Sequence, residues 1–120
     1  MSGYKELNVW KQSYSLVLLI YAITKNFPKE EIYGLVSQMR RSSISIPSNI
    51  AEGSKRSSKK DFCQFLKIAQ GSGAELETQL LLSKDLQYIS EKDCKEASTL
   101  LESVMKMLTG LINKLSTSDK

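Results

Sequence analysis

The chain has 120 residues, enough for one domain with a buried core, and its 41% hydrophobic and 25% charged residues are ordinary for a globular protein. Only two prolines and six glycines interrupt it, and short-strand alternation is scarce, which disfavours a β-rich fold. The formal net charge is +4 with no histidine, so the usual general base near neutral pH is missing.

The first helix is expected over about residues 7–26. Trp10, Tyr14, Val17, Tyr21 and Thr24 recur at helical spacing, and Leu16, Ile20, Ile23 and Phe27 form a second stripe. Two stripes imply burial on a wide face, with one turned to the bundle and the other to another subunit. Pro28 suits a first helical position, and Glu30 and Glu31 complement the positive end of a helix dipole. The second helix is therefore placed at about 29–52. Its stripe is Ile32, Val36, Met39, Ser43, Ile46 and Ile50, which stays in register past Pro47, so a kink is expected there rather than a stop. Gly53 ends it.

Gly53 to Ser58 forms the next connection. Ser58 with Asp61 three residues on resembles a capping box and opens a third helix over about 59–88. Gly71 and Gly73 lie inside that helix at a cost of about 1 kcal/mol each relative to alanine, which calls for a packing or binding reason. Ser90 with Asp93 repeats the capping signature before a fourth helix over about 91–115. There Ala97, Leu101, Val104, Leu108, Leu111 and Leu115 form a heptad seam, and residues 116–120 read as a frayed tail. Short connections between long helices make neighbours antiparallel. The expected fold is one all-α, up-down-up-down four-helix bundle.

Cys63 and Cys94 fit no metal motif and fall near opposite ends of that bundle, roughly 30 Å apart at about 1.5 Å per residue. They read as free thiols of a cytoplasmic protein. No apolar run approaches the length of a membrane span and the N-terminus has no signal pattern, so no membrane partner is expected.

The positive charge is concentrated. Between Arg40 and Lys67 there are seven basic and two acidic residues, whereas the rest of the chain is close to neutral. Lys55, Arg56, Lys59 and Lys60 should form a compact patch at one bundle end, which is the footprint of a nucleic-acid binder; a solvated surface is the plainer alternative. Arg40 and Arg41 lie about 20 Å along the helix from Gly53 and support the patch only if another subunit helps. No aromatic residue is interleaved with these basic groups. The serines at 42, 43, 45 and 48, with Asn49, face Ala69, Gly71, Ser72 and Ala74 as a packing seam, a subunit contact or a ligand site. Arg40, Arg41, Glu52, Glu75 and Glu77 read as a structural ion-pair network. No nucleophile with a nearby base is evident, and no cofactor, metal or small-molecule substrate is implied.

Four stretches carry a family resemblance: residues 7–11 (LNVWK), 27–35 (FPKEEIYGL), 40–53 (RRSSISIPSNIAEG) and 69–78 (AQGSGAELET). In that order they resemble the bacterial four-helix-bundle proteins encoded in intervening sequences of large-subunit ribosomal RNA genes. The likeness runs from about Leu7 to Leu115. It implies an up-down bundle, a ring-shaped homopentamer and no enzymatic activity. It also implies kinship with the accessory protein of diversity-generating retroelements, which binds nucleic acid and a reverse transcriptase. Gly73 departs from the pattern, which has a larger apolar residue there. The expectation is a homo-oligomeric scaffold binding RNA or another nucleic acid through Lys55, Arg56, Lys59 and Lys60, with Arg40 and Arg41 in support. The rival readings are a protein-interaction module with no nucleic-acid role and, more remotely, a hydrolase or transferase.

Overall fold

The computed structural model describes residues 3–117, and these form four long helices. They are α1 (Asn8–Thr24), α2 (Leu35–Ser54), α3 (Lys59–Asp85) and α4 (Glu91–Thr117). Each packs on its chain neighbours, and α1 also packs on α4, which closes a square antiparallel bundle 49 Å long and 22 Å across. Among the described residues no helix is long and apolar enough to cross a membrane.

The core is drawn from the expected stripes. Leu16 and Ile20 of α1, Met39, Ile46 and Ile50 of α2, Leu66, Leu76 and Leu80 of α3, and Val104 and Leu108 of α4 are all fully buried. Each such side chain contributes about 1.5–3 kcal/mol through removal from water. Of the two stripes on α1, the one running through Leu16, Ile20, Ile23 and Phe27 enters the core. Tyr14 on the other remains 50% exposed.

The second helix starts later than the sequence pattern suggests. Residues Lys29–Glu31 make a separate 3-10 turn, and the backbone breaks at Gly34 (φ −110°, ψ −110°). The Glu31 carboxylate then caps α2 from outside by accepting the Leu35 N–H at 3.2 Å. α2 continues through Pro47 to Ser54. At the far end of α3 the helix stops at Asp85, not 88. Gln87 takes a positive φ of 64°, with Gln87 N–H bonded to Lys84 O and Tyr88 N–H to Ser83 O. This is a Schellman cap with glutamine where glycine is usual. α4 takes in residues 116 and 117 of the expected tail; the rest of that tail lies outside the described residues.

Ser58 and Ser90 cap α3 and α4 as read, accepting the N–H groups of Asp61 and Asp93 at 3.1 Å each. Both cysteines are buried and free. Cys63 lies beside Ile112, whereas Cys94 is 18 residues earlier on α4, about 27 Å away along the helix.

Candidate nucleic-acid interface

The connection between α2 and α3 is four residues long, so it cannot leave the bundle end. Gly53 makes this corner possible. A Cβ there would lie 2.6 Å from Phe65 Cβ and 2.9 Å from Phe62 Cδ1, so only glycine lets the end of α2 sit so close to the start of α3. Lys55, Arg56, Lys59 and Lys60 are exposed together at this tip. Arg56 forms an ion pair with Glu52 at 2.8 Å and lies 4.8 Å over the Phe65 ring, yet its side chain keeps 44% of its exposure. An exposed pair of this kind is worth well under about 1 kcal/mol and leaves the guanidinium available.

The antiparallel topology adds cations from the chain ends. Lys5 precedes α1 and Lys114 lies in the last turn of α4, both exposed at the same end as Lys55. Glu6, Glu52 and Asp61 are the nearby acids by position. The opposite end carries Lys25, Lys29, Lys84 and Lys92 against Glu30, Glu31, Asp85, Glu91 and Asp93. Of the two bundle ends, only this tip carries a surplus of positive groups.

Arg40 and Arg41 are not at that tip. Arg40 turns to α1, where its Nε donates to Thr24 Oγ1 at 3.0 Å and its guanidinium stands 4.4 Å over the Tyr21 ring. Arg41 turns to α3 and lines an open polar groove of about 490 Å³ with Ser42, Ser45, Ser72, Glu75 and Gln79. The ion-pair network expected of these residues does not form among the described residues: Glu52 binds Arg56, and Arg41 and Glu75 share the groove without closing a pair. Of the expected seam, Ser42, Ser43, Ala69 and Ser72 are buried between α2 and α3, and Ser72 Oγ donates to Ser45 Oγ at 2.7 Å. Ser48 instead borders α1, and a Cβ at Gly71 would meet nothing within 4 Å, so neither belongs to it.

Aromatic groups do accompany the cations, contrary to the local sequence. Lys55 Nζ lies 5.6 Å from the Tyr4 ring, and Tyr4 meets Trp10 edge-on with centroids 5.4 Å apart. Trp10 in turn lies 5.2 Å from Tyr14. Tyr4 and Lys55 are far apart in the chain, so no local pattern could have announced the pairing.

Fold and site together define a small antiparallel four-helix bundle with a basic tip flanked by aromatic side chains. The sequence profile of the 23S rRNA-intervening sequence protein family matches residues 5–110, and the chain belongs to that family. It is also similar to the crystal structure of a Bacteroides thetaiotaomicron protein of unknown function from the S23 ribosomal protein family. That similarity has a TM-score of 0.81 and 26% identity, over 88% of this chain and 95% of the other. No curated protein matches.

Proposed function

We propose that this protein is a non-enzymatic, homo-oligomeric scaffold that binds nucleic acid, RNA foremost, through its basic tip. The observation that carries this reading is the exposure of Lys55, Arg56, Lys59 and Lys60 on one corner, with Lys5 and Lys114 beside them and a near-neutral opposite end. Phosphates neutralised there release counterions, which gives affinity with little sequence preference. The absence of histidine agrees with a binding role.

Self-assembly is supported by apolar side chains left on the outside of α3. Leu81 and Leu82 in its last turn and Leu86 at its C-cap are 55%, 49% and 52% exposed and close in sequence. A homopentameric ring, which the family resemblance implies, would scatter light as five times 13.5 kDa. The same exposed leucines are what favour the second reading, a protein-docking module with no nucleic-acid role.

Binding to a ribosomal RNA fragment at two salt concentrations tests the first reading. Affinity should fall steeply with salt, by a slope of about 0.7 per phosphate contact on an unpaired strand. Replacing Lys55, Arg56, Lys59 and Lys60 together by glutamine should flatten that slope and weaken binding. Unchanged affinity in that variant refutes the tip, and a protein recovered from nuclease-treated extract by wild type then favours the second reading.

A further inference from the structure

The tip leaves a neighbouring surface unexplained. Trp10, Tyr14 and Leu18 recur every four residues on α1 and share one face. Ile44, Ser48 and Ala51 do the same on α2 at spacings of four and three, and Lys55 follows four residues on as the C-cap. The two rows border an open groove of about 340 Å³. At the basic end this groove runs into Tyr4, which contacts both Trp10 and Lys55. The groove and the tip are therefore one continuous surface.

Several of its side chains are left exposed by the fold. Tyr14 is 50% and Leu18 59% exposed, and Ser48 and Ala51 keep the facing wall low. Trp10 and Tyr14 meet at a tilt of 39° with centroids 5.2 Å apart, and Trp10 is only partly buried against the core. Open aromatic faces beside a cationic track are what single-stranded nucleic acid requires: every base has a π-face to stack, and its phosphate needs a nearby cation.

We propose that the groove receives unpaired nucleobases stacked on Trp10 and Tyr14, while the phosphates of the same strand lie along Lys55 and the tip. This rests on the nucleic-acid reading and narrows it to strands with unpaired segments, because bases held inside a duplex cannot enter the groove.

Trp10 is the single tryptophan, so its fluorescence reports on this groove alone. Titration with a short unstructured RNA should quench it, whereas the duplex formed with the complementary strand should bind the tip without quenching. Tyr14→Leu and Trp10→Leu keep an apolar side chain and remove the π-face. Each should lower single-strand affinity about tenfold, with duplex affinity and helical circular dichroism retained. Single strands that bind without quenching, and bind both variants as tightly as wild type, overturn the proposal. So does a variant that dissociates an assembled protein yet binds RNA normally, which would give the groove to a second copy. Should the variants not fold, the wild-type quenching contrast between strand and duplex still decides. Quenching that survives neutralisation of Lys55, Arg56, Lys59 and Lys60 leaves the groove standing and removes the tip; binding of neither RNA ends both.

Discussion

Arg40 Nε donates to Thr24 Oγ1 at 3.0 Å and so ties α2 to α1 beneath the ring of Tyr21. The hydroxyl of Thr24 is fully employed, since it donates its own proton to Ile20 O at 2.7 Å while accepting from Arg40. Arg40 is therefore a structural cation and its neighbour Arg41 is not, although the two are adjacent in sequence. Arg40→Ala should cost about 1–3 kcal/mol of stability through loss of a charged hydrogen bond and the cation–π contact. Arg41→Ala should cost under about 0.5 kcal/mol, as an exposed side chain with no partner among the described residues. Chemical denaturation of both variants checks the contrast, and equal losses would contradict it.

The helical glycines divide by what surrounds them. A Cβ at Gly53 would run into Phe65 Cβ and Phe62, which are fixed close to their backbones, so Gly53→Ala should destabilise by about 1–3 kcal/mol. At Gly73 the obstacle is the flexible thioether end of Met105. Gly73→Ala should be close to neutral, because the displaced Met105 offsets a propensity gain of about 1 kcal/mol. Nothing lies within 4 Å of a Cβ at Gly71 or Gly110, so alanine at either should stabilise by about 0.5–1 kcal/mol. Thermal melts of the four variants should rank in that order, and a destabilised Gly71→Ala would contradict it.

Ser58 and Ser90 cap helices at opposite ends of the bundle through matching bonds to Asp61 and Asp93. Ser58→Ala and Ser90→Ala should each cost about 1 kcal/mol, and the double variant should lose the sum, since the sites share no partners. A double-mutant cycle with a coupling energy well away from zero would rule out independence.

These caps were legible in the sequence because the donor and acceptor lie three residues apart. So were the core stripes and the passage of α2 through Pro47, which depend on periodicity along one helix. What escaped was set by distant segments meeting. The restart of α2 at Leu35 depends on the Glu31 side chain folding back over the helix end, and charge pattern alone placed that residue inside the helix. The basic cluster was visible in Lys55 to Lys60. Its reinforcement by Lys5 and Lys114, its Tyr4 partner, and the withdrawal of Arg40 toward Thr24 all required the bundle to close. The close approach at Gly53 was hidden for the same reason, because a glycine after a helical stripe reads first as a terminator.

Tyr88 offers a pH-dependent signature of the end opposite the basic tip. Its hydroxyl donates to Glu31 Oε2 at 3.2 Å, and its ring packs against Phe27 with centroids 5.7 Å apart. Partial burial, then the Glu31 carboxylate and the hydrogen bond to it, then Glu30, hold the phenol above its ordinary value of 10.0. The folded protein therefore keeps a proton that the unfolded chain releases above pH 10. Below that value the contribution to stability is complete; it is lost as pH rises through the folded-state value, where a phenolate would face Glu31. Tyr88→Phe removes this titration and keeps the ring contact with Phe27. The difference in unfolding free energy between wild type and Tyr88→Phe should be flat from pH 7 to about 10 and should then shrink with rising pH. Denaturant titrations across that range measure it directly, and a difference that grows above pH 10 would place the phenol below its ordinary value in the folded state.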